Sequence, residues 1–312
     1  MTTPTIAEPH SDAQTQRYRE AERALWRHYD IEPAERFVDV GGVRLRVLEV
    51  GSGESVLFVH GTGGPGAWPA LVRELSGCRC LLLDRPGWGL SEPVAYSGRD
   101  YRAFVADLLC GVLDVLGLDR AHVAGASIGN VWALALAARH PVRVGRVVLL
   151  GGGPLLPEVP VPVFVALVAS PLGRIMARRP QDPNTTRSHL RRLGHGASLD
   201  AGLIPHEFLD WRFALTRDTP ALRNEREMIR ALVRGRSFRP GLTFGDRELA
   251  AITQPVLHVC GTADPVGSVR AWQRLARLLP DARLELVDGA GHVPWFDDPA
   301  RVAGEIGHFL RG

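Results

Sequence analysis

Ser127 lies in the segment 125–129, Gly-Ala-Ser-Ile-Gly, between an apolar run and an Ala-rich one. The run 121–124 predicts a buried strand, and the run 131–138 predicts a helix. A strand that turns directly into a helix strains the residue at the bend, and it needs small neighbours such as those at 125, 126 and 129. The bend holds the serine hydroxyl clear of the core, where it can act as a nucleophile. The N–H of Ile128 then points at any oxyanion formed there.

A serine nucleophile needs a histidine base and a carboxylate that orients the imidazole. Asp264 follows a strand predicted over 255–260, and His292 follows a strand predicted over 282–287. The position after the strand that starts at Val144 holds only glycines, so it offers no competing acid. Because the carboxyl ends of parallel strands meet at one edge of a sheet, we predict a triad of Ser127, Asp264 and His292.

The chain order serine, aspartate, histidine is that of the α/β-hydrolases. Two more motifs stand in the matching order, namely His-Gly-Thr-Gly-Gly-Pro-Gly at 60–66 and Asp-Arg-Pro-Gly-Trp-Gly-Leu-Ser at 84–91. Over residues 37–312 the chain therefore resembles α/β-hydrolases of the capped esterase, haloalkane-dehalogenase and carbon-carbon-hydrolase type.

The resemblance implies roles for the loop after His60. This loop is expected to supply the second oxyanion donor, from the N–H of Thr62 or, alternatively, of Gly63, beside that of Ile128. His60 and Asp84 are interpreted as structural supports of their loops.

Strands alternate with helices before residue 151 and again after residue 254, which predicts a mainly parallel sheet covered on both faces. The predicted fold class is α/β: an α/β-hydrolase fold with a mainly parallel, eight-stranded type of sheet, helices on both faces and an inserted, mainly helical cap. We predict a tail and an amphipathic helix at 1–36, the core at 37–153 and 250–312, and the cap, or lid, at 154–249.

The composition excludes several chemistries. All 37 basic residues are arginine, so Schiff-base, pyridoxal-phosphate and P-loop lysine chemistry are excluded. The nucleophile position holds Ser127, whereas related dehalogenases and epoxide hydrolases carry aspartate there. This difference argues against dehalogenation and epoxide opening. The four cysteines show no spacing typical of a metal site, and we expect neither a metal nor a cofactor.

A net charge of +3 gives no reason to expect a nucleic acid or membrane partner. The start of the chain, Met1 to Gln16, is polar and shows no secretory signal, and no apolar run is long enough to span a bilayer, so a cytoplasmic location is expected. Residues 151–250 hold 15 Arg against 10 acidic residues, which fits either a solvated surface or a basic cap that attracts an anionic substrate. Nothing in the sequence indicates the oligomeric state.

The candidate pocket residues are Trp68, Trp295, Phe296 and Val266, although ordinary core packing would also explain the aromatic ones. One cap arginine could clamp a substrate carboxylate, but the sequence does not single it out. The first hypothesis is a serine carboxylesterase that cleaves a small apolar or carboxylated ester through an acyl-enzyme on Ser127. The alternatives are a carbon-carbon bond hydrolase of meta-cleavage-type diketones, or a lyase or ligand-binding relative on the same fold.

Overall fold

The computed structural model describes residues 11–312. The first ten residues lie outside the described residues; they belong to the predicted tail and to the polar start of the chain for which no secretory signal is expected.

The strands of the central sheet are β1 (Ala34–Val40), β2 (Val43–Gly51), β3 (Glu54–Val59), β4 (Cys78–Leu83), β5 (Ala121–Ala126), β6 (Val144–Leu150), β9 (Val256–Gly261) and β10 (Ala282–Val287), and a separate two-stranded ribbon consists of β7 (Val233–Arg234) and β8 (Ser237–Phe238). The eight strands of the sheet follow the order β1-β2-β4-β3-β5-β6-β9-β10. β2 is antiparallel to both of its neighbours, and the remaining pairs are parallel. The predicted mainly parallel, eight-stranded sheet is confirmed.

Thirteen helices surround the sheet or stand between its strands in the described chain: α1 (Asp12–His28), α2 (Pro69–Val72), α3 (Tyr101–Val115), α4 (Ile128–Arg139), α5 (Val163–Ala169), α6 (Pro171–Met176), α7 (Pro183–Arg192), α8 (Gly196–Asp200), α9 (His206–Asp218), α10 (Ala221–Leu232), α11 (Asp246–Ala250), α12 (Val269–Leu278) and α13 (Pro299–Arg311). Short 3-10 turns lie at Pro65–Ala67, Pro141–Arg143 and Pro294–Phe296.

Both faces of the sheet are buried. In β3, Leu57 and Val59 face one apolar cluster, which contains α3 and α4, while Val56 and Phe58 face the other, which contains α1 and α13. Successive side chains of a strand point to opposite faces, so a strand covered on both faces must be apolar throughout. This burial holds the carboxyl ends of β3, β5, β6 and β9 in fixed positions relative to one another.

The segment between β6 and β9 is mainly helical, as predicted. It contains α5 to α11 and the ribbon, and α11 crosses the predicted limit between cap and core at residues 249 and 250. We call residues 154–249 the cap, with the limits predicted from the sequence. At the other predicted limit, β1 begins three residues before residue 37, because Ala34 to Arg36 already pair with β2.

Helix α1 joins the sheet to the cap, a role that the sequence did not reveal. Its Glu22 receives two hydrogen bonds from the buried Arg46 of β2, at 2.6 and 2.7 Å. On the outer side, Arg17 binds Asp218 of α9 at 2.7 Å. The predicted amphipathic helix therefore lies between β2 of the sheet and α9 of the cap and binds both.

Candidate active site

Ser127 stands at a sharp turn between β5 and α4. Its φ of 55° and ψ of −117° are strained for a residue with a side chain. A Cβ atom at Gly129 would lie 2.1 Å from the carbonyl oxygen of Val59, and one at Gly125 would lie 2.3 Å from that of Gly129. The strain and the need for small neighbours are both confirmed, and the serine side chain is held out of the sheet.

Asp264 and His292 form a hydrogen-bonded pair at the same edge. The Nδ1 atom of His292 lies 2.9 Å from Oδ2 and 3.0 Å from Oδ1 of Asp264. The carboxylate also accepts the N–H groups of Gly152 and Val266, each at 2.7 Å. Burial opposes ionisation, but His292 and these two amides outweigh it and hold the pKa of Asp264 below its usual value. The aspartate therefore stays ionised and fixes the Nδ1 proton of the imidazole.

Ser127 and His292 meet at two cavities, since both residues line each of them. Among residues 11–312, the hydrogen bonds do not include one between the Ser127 hydroxyl and the His292 ring. Catalytic hydrogen bonds are often long or poorly aligned without substrate and tighten in the complex. The two side chains thus share one space, in which a reacting carbonyl can contact both.

The oxyanion donors predicted from the sequence lie next to Ser127. Ile128 is the first residue of α4, so its N–H has no acceptor within the helix. Within the described chain, the N–H groups of Thr62 and Gly63 donate no hydrogen bond. The N–H of Ser127, in contrast, donates to the carbonyl of Leu150 at 3.0 Å. Thr62 and Ile128 line the larger cavity and Gly63 the smaller one. Three backbone donors are therefore free near the nucleophile.

His60 supports the oxyanion loop, as interpreted from the sequence. Its Nδ1 atom lies 2.7 Å from the carbonyl of Gly61, and its Nε2 atom accepts the N–H of Arg85 at 3.1 Å. Burial, and next the charge of Arg85, hold the pKa of His60 well below its usual value. The ring is therefore neutral and its two nitrogens are engaged, which suits a support rather than a base.

Asp84 supports the loop that follows β4. Its Oδ2 atom accepts the N–H of Leu90 at 3.1 Å and binds Nε of Arg46 at 2.6 Å. The structural interpretation of Asp84 therefore agrees with its contacts.

A second buried network, which sequence reasoning missed, holds the loop of His292. The His195 ring accepts the N–H of Val293 at Nε2, at 3.1 Å, and binds Asp297 through Nδ1 at 2.9 Å. Asp297 also accepts the N–H of Gly291 at 2.8 Å. Adjacent to this network, the N–H of His292 donates to the carbonyl of Leu193 at 2.8 Å. The cap thus holds Val293 through His195 and His292 through Leu193, while Asp297 links Gly291 to His195. No local motif around His195 signals this role.

Arg212 of α9 is the second missed residue. Its side chain donates to the carbonyl of Gly63 at 2.9 Å and to the side chain of Gln181 at 3.1 Å. Only 6% of the residue is exposed, and it takes part in none of the ion pairs found within residues 11–312. Burial lowers the pKa of Arg212 to about 10, so the guanidinium remains charged at neutral pH. A buried cation that forms no ion pair within residues 11–312 therefore lies against the oxyanion loop, and the charge of Glu225 only partly offsets the effect of its burial.

The predicted pocket residues divide between the two cavities. Trp68 and Trp295 stack at 5.2 Å between ring centroids and line the smaller cavity, and Val266 lines the larger one. Phe296 lines neither of these two cavities, and its place in the pocket stays a prediction. It packs edge-on against Phe208 of the cap because the turn after His292 directs it into the core.

No metal centre or membrane span emerges from the described residues. Within residues 11–312, no group of three or more His, Cys, Asp or Glu side chains is arranged to hold a metal ion. No helix in that range is both long and apolar enough to cross a bilayer. The cytoplasmic location and the lack of a nucleic acid partner stay predictions.

The alpha/beta hydrolase family model matches residues 56–305, which include all three residues of the predicted triad. The chain belongs to the alpha/beta hydrolase family. This confirms the resemblance seen in the sequence, and the mainly parallel sheet with helices on both faces agrees with it.

One relative of this hydrolase is a 2-hydroxy-6-oxononadienedioate/2-hydroxy-6-oxononatrienedioate hydrolase from Burkholderia vietnamiensis. It is 31% identical over 284 residues, which are 86% of this chain and 92% of the relative.

Two solved structures show the same fold. A naproxen esterase from Bacillus subtilis superposes with a TM-score of 0.75 at 20% identity, over 97% of this chain and 100% of the esterase. A 2-hydroxy-6-oxo-6-phenylhexa-2,4-dienoate hydrolase from a Rhodococcus strain superposes with a TM-score of 0.74 at 19% sequence identity, over 90% of this chain and 99% of that enzyme.

Proposed function

We propose that this hydrolase cleaves a carbon-carbon bond in a vinylogous diketone of the meta-cleavage type, with Ser127 as nucleophile. The relative with 31% identity acts, by its name, on a 2-hydroxy-6-oxo dienedioate. This similarity favours the alternative drawn from the sequence over the carboxylesterase hypothesis. The observation that carries the proposal is Arg212, because a carbon-carbon hydrolase of this kind was expected to need a cap arginine for the substrate carboxylate.

Arg212 suits a carboxylate next to a 2-oxo group. The loop that it binds through Gly63 forms one wall of the smaller cavity, beside the Ser127 side chain. A buried cation that forms no ion pair is costly, so a bound carboxylate would stabilise Arg212 with a charge-assisted hydrogen bond. Arg212 would orient the conjugated end of the substrate while Ser127 faces the distant ketone.

The triad geometry accounts for the reaction steps. The Ser127 oxygen adds to the ketone carbon as His292 takes its proton, and the N–H groups of Ile128 and Thr62 or Gly63 hold the oxyanion. The bond breaks in the keto form of the substrate, in which the 2-hydroxyl proton has first moved to the carbon next to the 6-oxo group. The electron pair of the broken bond then passes into the conjugated 2-oxo group, which receives the proton held by His292 and becomes a dienol. Water, activated by His292, then releases the acyl group from Ser127 as a carboxylic acid. Asp264 fixes the imidazole throughout.

Ester hydrolysis is the second candidate. The same nucleophile, base and oxyanion donors serve an ester, in which an alcohol leaves instead of the carbon fragment. The free N–H groups beside Ser127 are the specific observation that favours it, because they suit any acyl transfer.

The test compares substrates on the wild-type protein and three variants. The loss of colour of a 2-hydroxy-6-oxo dienoate and the release of p-nitrophenol from short esters are followed with wild type, Ser127→Ala, Arg212→Gln and Arg230→Gln. Arg230 is the matched control, because it lies on α10 and is exposed.

For a carbon-carbon hydrolase, we expect kcat/KM for the dienoate to exceed that for esters, to vanish in Ser127→Ala and to fall at least about 100-fold in Arg212→Gln. The Arg230→Gln variant should match the wild type. Fast ester turnover with no dienoate cleavage would overturn the proposal and support ester hydrolysis instead.

A further inference from the structure

Two short helices of the cap, α5 and α6, carry most of the exposed large hydrophobic side chains of the described chain. Nine such side chains are strongly exposed there, and six of them lie on these two helices: Val163, Phe164, Leu167, Leu172, Ile175 and Met176. The other three, Val115, Val142 and Leu203, lie singly on other elements or loops. A single exposed apolar residue is ordinary, whereas a group of them on one surface usually marks an interaction site.

The exposed side chains share one face of each helix. Residues three and four positions apart lie on the same side of a helix. Val163 and Leu167 have this spacing in α5, and Leu172, Ile175 and Met176 have it in α6. The two helices therefore present an apolar face to the outside of the cap.

The inner side of the two helices is anchored to the cap. A Cβ atom at Gly173 of α6 would lie 2.0 Å from the carbonyl oxygen of Val168 in α5, so the helices meet in close contact. The buried Arg226 of α10 donates to the carbonyl of Ser170, between the two helices, at 3.2 Å. These contacts fix the helices from below and leave their outer face uncovered.

The same segment is basic. Residues 159–181 contain three arginines, Arg174, Arg178 and Arg179, and no aspartate or glutamate. All three arginines are exposed, and none takes part in an ion pair found within residues 11–312. The turn after α6 keeps the last two beside the apolar face, because their N–H groups donate to the carbonyls of Ile175 and Met176 at 3.2 and 3.0 Å. We call the six apolar side chains and these three arginines the α5–α6 surface.

We propose that the α5–α6 surface binds the surface of an anionic lipid bilayer. Helices that lie in the plane of a membrane combine an apolar face with basic residues: the basic residues attract anionic lipids, and the apolar side chains enter the boundary between head groups and acyl chains. The net charge of +3 for the whole chain gave no reason to expect a membrane partner. The local charge gives one, because in salt solution a lipid surface acts only on charges within about 10 Å.

Binding in this orientation places the active site near the lipid. Phe164 is exposed on α5 and also lines the larger cavity, which contains Ser127. A protein bound through the α5–α6 surface therefore holds the cavity of its nucleophile close to the bilayer. The inference goes beyond the proposed function and does not depend on which bond the enzyme breaks.

A second copy of the chain is the competing occupant of this surface. In a symmetric dimer through α5 and α6 the same patch would face itself. The three arginines of one copy would then meet those of the other, and residues 159–181 supply no acidic side chain between them. An anionic bilayer offers both an apolar interior and the opposite charge, so it fits both properties of the surface.

Sedimentation with lipid vesicles tests the proposal on the full chain. The vesicles consist of phosphatidylcholine alone, or of phosphatidylcholine with about one third phosphatidylglycerol, and we expect at least about tenfold stronger binding to the anionic ones. Raising the salt concentration from about 0.1 to 0.5 M should weaken this binding. Absence of binding to the anionic vesicles would overturn the proposal.

One pair of variants tests the apolar part of the surface. Leu172→Ser/Ile175→Ser removes two exposed side chains and should weaken binding to the anionic vesicles at least about tenfold. The matched control is Val115→Ser/Val142→Ser, at two exposed positions of the core, and it should stay within about threefold of the wild type. Thermal unfolding checks that both variants fold.

A second pair tests the basic part. Arg174→Gln/Arg178→Gln/Arg179→Gln should also weaken binding at least about tenfold. The control Arg120→Gln/Arg270→Gln/Arg277→Gln removes the same charge at exposed positions of the core that form no ion pair within residues 11–312, and it should bind much more tightly than the first variant. If the controls of both pairs lose as much binding as their partners, the contact does not lie on α5 and α6, and the proposal is wrong.

Fluorescence locates the contact directly. All seven tryptophans of the chain are buried, so brominated lipids should not quench them. Leu172→Trp adds an indole on the α5–α6 surface, and Val142→Trp adds one before β6, at the opposite edge of the sheet from the triad. Quenching by brominated lipid in the vesicle-bound Leu172→Trp protein, but not in Val142→Trp, supports the proposal. Equal quenching of the two, or none in either, contradicts it.

Sedimentation velocity gives the result for the competing occupant. If the wild type is a dimer that Leu172→Ser/Ile175→Ser converts to a monomer, the surface binds a second copy of the chain, and the proposal is overturned. If this variant loses vesicle binding while its oligomeric state stays that of the wild type, the bilayer is the occupant.

Discussion

The Nδ1 atom of His292 and the carboxylate of Asp264, 28 residues earlier in the chain, lie 2.9 Å apart in a buried pair. Two backbone N–H groups hold the same carboxylate, and one of them belongs to Gly152 after β6. The acid is therefore fixed from two strand ends at once. A carboxylate held in this way dictates which ring nitrogen of the histidine carries the proton.

Asp264→Asn should abolish most of the activity while leaving the fold intact. The asparagine side chain is similar in size, but it can present a donor to His292 and so favour the wrong tautomer. We expect kcat to fall by about 10³ to 10⁴ with a smaller change in KM. Steady-state kinetics on the proposed dienoate, or on an ester if the dienoate is not cleaved, checks this, with far-UV circular dichroism as the folding control. A loss below about tenfold would mean that another acid serves His292.

His195→Gln tests the network that positions His292. Without the imidazole, the N–H of Val293 and the carboxylate of Asp297 each lose a buried partner. Because the loop would sample other positions, we expect kcat to fall about 10-fold or more at little change in KM, and the rate to depend differently on pH. The matched control is His140→Gln, since His140 pairs with the exposed Asp107 far from the site.

A purely structural role of His195 gives a different pattern. In that case the midpoint of thermal unfolding falls, but kcat and the pH profile of the folded protein remain those of the wild type.

Gly129→Ala tests the strand-to-helix turn. The added Cβ would lie 2.1 Å from the Val59 carbonyl oxygen, so α4 must move away from β3. We expect a loss of about 3 kcal/mol in the free energy of unfolding, measured by urea denaturation, and a lower kcat. Gly304→Ala in α13 is the control, because its Cβ would meet nothing within 4 Å and should stabilise the helix by about 0.5 kcal/mol. Similar stabilities of the two variants would contradict the tight packing described for Gly129.

The free energy of unfolding should decrease as the pH is lowered, partly because His258 is buried in its neutral form. Burial, the largest cause, lowers the pKa of His258 to about 4, against 6.5 for the free side chain. Between these values the unfolded chain takes up a proton that the folded chain does not, so stability is lost as the pH falls from 6.5 to 4. The difference corresponds to about 3 kcal/mol.

Urea denaturation at pH 7.5 and pH 4.5 measures this loss in wild type and in His258→Gln. The variant should lose less stability between the two conditions, because glutamine does not titrate. If both proteins lose the same amount, His258 does not control the acid response.

The sequence predicted the sheet well because a strand buried on both faces must be apolar throughout, and such runs stand out along the chain. The helix α1 was also visible through its spacing, but its partners were not. Arg46 and Asp218, which bind Glu22 and Arg17, lie in segments whose sequences carry no sign of α1. Contacts between distant segments depend on how the elements pack.

The cap shows the same limit for the site. The sequence revealed that one of its many arginines could bind a carboxylate, and only the fold set Arg212 against the carbonyl of Gly63 while others remained at the surface. His195 likewise reads as an ordinary residue after a glycine. Phe296 packs against Phe208 of the cap, and periodicity does not show which side of a turn faces a cavity.

The sequence by itself determined the nucleophile, its order relative to the acid and base, and the exclusion of lysine chemistry, because these depend on residue types at strand ends. Only the tertiary structure decided which amides stay free, which arginine is buried without an ion pair and which walls surround the nucleophile. Those properties arise when the cap packs on the sheet edge and removes water from both. Burial raises the free-energy cost of an unpaired charge or hydrogen-bond donor, so such a group binds substrate more strongly. Which groups are buried depends on how the whole chain packs.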